Sequence, residues 1–238
     1  MMSLLHLQFI QHALMATLLA SIACGVVGTL VTVNRRTFLA GAVSHAAYGG
    51  VGLAIFLGMP VLPVTFAFTV AAALLMASVV RRLPARADSL IGVLWAAGMS
   101  VGILLLDFSQ GYNADLMSYL FGSILAVSTR DLVLMAIADL GIGAIVLYWY
   151  KDFLAMSFDA EFAHALGVPV ERMHDILQAL IASAIVLLIQ LVGLVLVMAL
   201  LTIPPMIAET HCRSLAHTMV LATLISVMVT LSGLGLAV

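Results

Sequence analysis

Charge is what this sequence has least of. Only 8% of its 238 residues are Asp, Glu, Lys or Arg, and lysine occurs once, at Lys151. A soluble domain cannot cover itself with so few charges, so that class is excluded. The nine Lys and Arg residues lie in small groups and the formal charge is −2. There is no basic stripe to track phosphates, so nucleic acid is not an expected partner. Cysteine is nearly as scarce. Cys24 and Cys212 stand far apart without CxxC spacing and read as free thiols. No G-x-x-x-x-G-K-S/T run exists to bind ATP in a P-loop, and no H-E-x-x-H pair exists to hold a peptidase zinc.

What remains is apolar. Hydrophobic residues make up 64% of the chain and the mean hydropathy is +1.25. Runs of about 20 apolar residues separate the charged groups, long enough to cross a hydrocarbon core as helices and without the alternation of barrel strands. The expected fold class is all-α, a polytopic transmembrane helical bundle. Seven long spans are expected near 10–33, 37–57, 61–80, 89–106, 131–150, 174–203 and 215–236. The N-terminus has no Lys or Arg ahead of its apolar run and reads as the first span, not as a cleaved signal. Between 107 and 130 the apolar core, Leu116 to Val127, is too short to cross squarely and fits a broken or re-entrant helix. Arg35 and Arg36, then Arg81, Arg82 and Arg86, then Lys151 and Arg172 form three basic groups that belong in the cytoplasm, with the N-terminus outside. Arg130 and Arg213 fit that assignment less well.

The longest connection between spans, about 152–172, predicts a short helix. Asp159 and Glu161 suit a helix N-terminus, Gly167 suits a left-handed stop, and Pro169 can open the next helix. Phe158, Phe162 and Leu166 follow i, i+4, i+8 and make one apolar ridge. The ridge either packs back on the bundle or receives a soluble partner, and a chain without a P-loop would need such a partner for any ATP-driven work.

On the second span Gly41, His45, Gly49 and Gly52 share one helical face, with Ser44 and Tyr48 beside it. Small residues there allow close helix packing. His45 is either a neutral histidine bonded to the next helix or a station on a metal path, where weak and incomplete coordination lets the ion go again. Asp139 is a second intramembrane ionisable group that needs a partner or stays neutral. Glu209, His211 and Cys212 are metal-competent but do not share a face, so a polar helix end is the expectation there.

Three stretches carry a family resemblance: "NRRTFLAGAVSHAAYGGVGLA", "ADLMSYLFGSILAVSTRDL", and "FDAEFAHALGVPVERM" through "VGLVLVMALLTIPPMIA". In order and spacing they resemble the integral membrane permeases of zinc-, manganese- and iron-type ABC importers. The resemblance implies a single permease domain over 1–238 in a bacterial plasma membrane, working as a homodimer. It implies cytoplasmic ABC ATPase subunits bound around Phe158, Asp159, Glu161, Phe162, Leu166 and Gly167, and an extracytoplasmic metal-binding protein that delivers the ion. The ATP would be used by the partner, no cofactor would be held covalently, and the chain would not itself be an enzyme. His45 falls on the family's metal-gating histidine. Members commonly carry an aspartate one turn earlier, where this chain has Gly41, so either another carboxylate, Asp139 or Asp115, takes its place or this branch handles its ion differently. Members also continue through a further hydrophobic segment beyond "VMVTLSGLGLAV". A stand-alone proton-coupled carrier using Asp139 and His45 is the alternative expectation.

Overall fold

In a medium without water a backbone must satisfy its own hydrogen bonds, and long apolar runs do so as α-helices. The computed structural model describes residues 8–109, 122 and 127–237. Ten α-helices lie among them: α1 (Gln8–Val33), α2 (Thr37–Phe56), α3 (Val61–Arg82), α4 (Ala87–Phe108), α5 (Thr129–Tyr148), α6 (Tyr150–Phe158), α7 (Ala160–Ala165), α8 (Val170–Val192), α9 (Leu194–His211) and α10 (Leu215–Ala237). Eight are long and apolar enough to cross a membrane, and no strand occurs among the described residues. The chain is an all-α membrane bundle. Buried hydroxyls bond within their own helices: Ser21 donates to the Thr17 carbonyl, Thr29 to Gly25 and Thr69 to Thr65.

The run 174–203, expected as one span, is instead parts of two helices. A helix of roughly 30 residues would be about 45 Å long, against a hydrocarbon core of about 30 Å. The chain breaks at Gly193, with φ 78° and ψ 160°, backbone that glycine adopts at little cost and other residues do not. α9 then runs back, so that Glu209 near its end borders the same cleft as His174 near the start of α8. Eight long helices therefore replace the expected seven. Arg213 consequently joins the basic end of the molecule, beside Val33 and Phe158, which removes its earlier misfit. Phe108 and Thr129 end and begin helices at the opposite end, where His12 Nδ1 lies 3.2 Å from the Val127 carbonyl oxygen. Asp115 and most of the short apolar segment, 110–121 and 123–126, lie outside the described residues.

Burial sorts the helices. The most apolar stretches of α1, α2 and α8 are 67%, 78% and 61% buried, against 17% for α4 and 22% for α5. Leu104, Ile137, Leu140, Val220 and Met228 point outward, a pattern that water would punish and lipid accepts. α2 lies between α3 and α4, and glycines set the spacing. A Cβ added to Gly50 would stand 2.8 Å from Thr65 Cα of α3, and one on Gly52 would stand 2.7 Å from Gly102 Cα of α4. Because lipid is as apolar as leucine, this close backbone packing is what holds the pair together.

Gly102→Val would drive a side chain into the Tyr48 carbonyl carbon, 2.6 Å from the new Cβ position. It is expected to cost about 1–3 kcal/mol and lower the Tm in detergent. Gly143→Val, which meets nothing within 4 Å, should leave the Tm unchanged.

Candidate metal path and docking loop

The small-residue face of α2 is real but serves three neighbours, α9 at Gly41, α4 at Gly49 and Gly52, and α3 through the Phe68 ring, which comes closest to Gly49. Near its start, Gly41 makes room for Met198 of α9, whose Cε would lie 2.8 Å from a Cβ at that position. The Ser44 hydroxyl sits 3.2 Å from Met198 Sδ and 2.9 Å from the Ala40 carbonyl. Further along, Gly49 and Gly52 turn to α4 at Gly98 and Gly102, and the Tyr48 carbonyl lies against Gly102. His45 stands between these two regions.

The His45 ring stacks on Trp95 of α4, with centroids 4.6 Å apart and planes 28° from parallel. Phe38 packs edge-on against the same indole at 6.5 Å. Stacking fixes the imidazole plane. Its Nδ1 is buried without a hydrogen-bond partner among the described residues, so the expected alternative of a histidine bonded to the next helix is not met at that nitrogen. A neutral imidazole held this way can offer one lone pair to a passing cation. Trp95 and Met198 escaped the sequence reading. A clue existed for Trp95, since membrane tryptophans gather at the interfaces and this one lies mid-helix.

Asp139 lies elsewhere. Its helix, α5, packs on α1, α8 and α6, and buried Cys24 of α1 is within electrostatic reach of the carboxylate. Asp139 Oδ2 is buried with no hydrogen-bond partner among the described residues. His45 Nδ1 and Asp139 Oδ2 are not hydrogen-bonded to one another, and α5 and α2 share no principal packing interface among the described residues. Among the described residues no group of three His, Cys, Asp or Glu side chains could hold a metal ion. Glu209 and His211 are exposed at the end of α9, and His211 Nδ1 lies 2.9 Å from the Ile207 carbonyl, the geometry of a polar helix end. A G-x-S-x-G spacing also occurs, at Gly98, Ser100 and Gly102. It falls inside α4 with Ser100 exposed and both glycines turned to α2, so it is packing and not a strained nucleophile turn.

The loop at the basic end has the cap, the glycine stop and the following proline its residues predict, but the helix breaks at Asp159, with φ −154° and ψ 104°, so Phe158 ends α6 and does not share one helical face with Phe162 and Leu166. Asp159 caps α7, its Oδ1 accepting from the Glu161 and Phe162 amides at 3.0 Å each. Gly167 ends the turn at φ 88°, and α8 begins directly after Pro169. Ala163 is fully buried and anchors the underside of α7. All three point away: Phe158, Phe162 and Leu166 are 81%, 61% and 66% exposed. They do not pack back on the bundle.

Comparison with known proteins places this geometry. The model of the ABC 3 transport family matches residues 6–238. An uncharacterized membrane protein of Synechocystis is 44% identical over 237 residues, covering 100% of this chain and 84% of the relative. The manganese transport system membrane protein MntC of Halalkalibacterium halodurans is 32% identical over 235 residues, covering 99% of this chain and 80% of its own length. Among solved structures, PsaBC from Streptococcus pneumoniae in complex with Fab superposes with a TM-score of 0.84 at 28% identity, over 94% of this chain and 81% of that one.

Asp159→Ala removes the cap of α7 and should weaken that helix by about 1 kcal/mol. Faster hydrogen exchange at the Glu161 and Phe162 amides, with α8 unchanged, is the expected reading.

Proposed function

This chain belongs to the ABC 3 transport family, and on that premise we propose that it is the membrane-spanning subunit of an ATP-driven importer for a divalent transition-metal ion. The whole of 1–238 acts as one permease domain in a bacterial plasma membrane, paired with a second copy of itself. Separate ATPase subunits bind at the basic, cytoplasmic end. A metal-binding protein delivers the ion at the opposite end.

The observation that carries this reading is the exposed apolar trio of Phe158 at the end of α6, Phe162 on the capped helix α7 and Leu166 at its C-terminal end. Three large apolar groups standing in water at the cytoplasmic face need a protein to cover them. The chain carries no nucleotide-binding motif of its own, so the covering protein supplies the ATP hydrolysis.

Work then passes to the path. ATP binding and hydrolysis in the partners alternate the access of the bundle, and the ion crosses without covalent chemistry. His45 meets the cation as a weak ligand whose ring Trp95 holds in place. One imidazole with no carboxylate at position 41 binds loosely, and loose binding permits release. Zinc, manganese and iron all accept imidazole and carboxylate ligands. Manganese is the first ion to test, because the Halalkalibacterium halodurans relative is named a manganese transport protein.

Purification from the native host in mild detergent should recover a soluble ATPase in near-equal amount. Phe162→Asp should remove that ATPase and abolish Mn²⁺ uptake while the elution profile of the chain stays unchanged. Retention of the ATPase by this variant would sink the docking assignment. His45→Ala should lower metal flux while ATPase binding stays intact, and wild-type flux in that variant would defeat the role given to His45.

A further inference from the structure

The docking loop and the helix that carries His45 do not touch, yet three side-chain ties connect their surroundings. Two of them meet at the tight corner between α1 and α2, residues 34–36, and the third joins α3 to α8 beside it. Arg35 sits at that corner with φ 55°, a left-handed conformation rare outside glycine, and lets α2 start within three residues of the end of α1. On one side, the Asn34 amide donates to Ser157 Oγ at 2.9 Å, and Ser157 immediately precedes Phe158 of the ridge. On the other, Arg36 Nη2 lies 3.4 Å from His174 Nδ1 in the first turns of α8, which follows the docking helix through a four-residue turn. Next to it Arg81, in the last turn of α3, makes an ion pair with Asp175. Burial, and then the nearby charge of Arg81, hold the Arg36 guanidinium below its ordinary range.

We propose that this corner is the joint through which the docked ATPase moves the metal path, with Asn34 gripping α6, Arg36 gripping α8, and Arg81 with Asp175 tying α3 to the start of α8 beside it. The inference rests on the proposed docking of an ATPase at the ridge. Its logic is mechanical. Arg36 stands directly before α2, and His45 lies on α2 nine residues later. α3 packs along the same helix and along α8. A displacement of α6 and of the start of α8 therefore reaches α2 and α3 together. The ion pair is a third exposed, and pairs of that kind contribute about 0–1 kcal/mol to stability. Its loss should leave the fold intact and change only how the parts move together.

The test uses the complete transporter, chain and ATPase, in proteoliposomes, with Mn²⁺ uptake and ATP hydrolysis measured on the same vesicles. Arg81→Asp, Asp175→Arg and Asn34→Ala should each bind the ATPase normally and lower the Mn²⁺ taken up per ATP by about fivefold or more, the lower range of coupling between distant sites. The exchanged pair, Arg81→Asp with Asp175→Arg, should regain most of the wild-type ratio, which a purely structural role for either charge would not predict. A covalent bridge in Asn34→Cys with Ser157→Cys should also support uptake where Asn34→Ala does not, since the joint needs its halves to move together. Uptake per ATP within about twofold of wild type in all three single variants would overturn the proposal. Failure of the wild-type chain to bind an ATPase at all would instead remove the docking assignment on which it stands.

Discussion

The approach of α2 to α4 through glycine is the contact on which the rest depends. No hydrophobic force drives two helices together inside lipid, so the pair is held by the fit of backbone against backbone at Gly49, Gly52, Gly98 and Gly102. That fit brings Trp95 over His45 and leaves the imidazole with a fixed plane and an Nδ1 that has no hydrogen-bond partner among the described residues. A bulkier seam would separate the two rings. The same seam leaves the opposite side of α4 facing lipid, which is why so apolar a helix can be so exposed.

The two ends of the molecule obey different physics. Within the bilayer, shape decides, and most of the hydroxyls bond to carbonyls of their own helices. At the basic end water is present, and half-buried Arg36 with His174 and the more open pair of Arg81 with Asp175 join neighbouring elements by charge and polarity. The rigid part supplies a path, and the solvated part is where a soluble partner can act on it. Gly41 belongs to the rigid part. Met198 fills the space above it, so a larger residue at 41 would have to displace a side chain from a neighbouring helix.

Legibility followed the range of each interaction. The ends of the docking helix could be read, because an aspartate cap, a left-handed glycine and a following proline act within a few positions of one another, whereas the helical spacing of Phe158 to Phe162 did not foresee the break at Asp159. His45 could be singled out because an ionisable group in an apolar run stands out against its own neighbours. Its partners could not, since Trp95 and Met198 are distant in sequence and reach α2 only through tertiary packing. Asp139 was legible as unusual, but not as lying on a helix without a principal interface to α2, for the same reason. The turn at Gly193 was hidden because both flanks are equally apolar; only the excess length of the run betrayed it, and a single glycine carries the whole reversal.

That reversal bears on how the chain enters its membrane during synthesis. With one residue between them, α8 and α9 have no loop that could wait in water while the first of them settles. They must partition into lipid as a pair, a preformed hairpin whose two legs share the cost of carrying the junction across. Lys151 and Arg172, which bracket the loop ahead of α8, have by then emerged and fix which side the hairpin returns to. A residue that resists the backbone of Gly193 would thus first be felt at the insertion machinery, before any folded transporter existed to be destabilised.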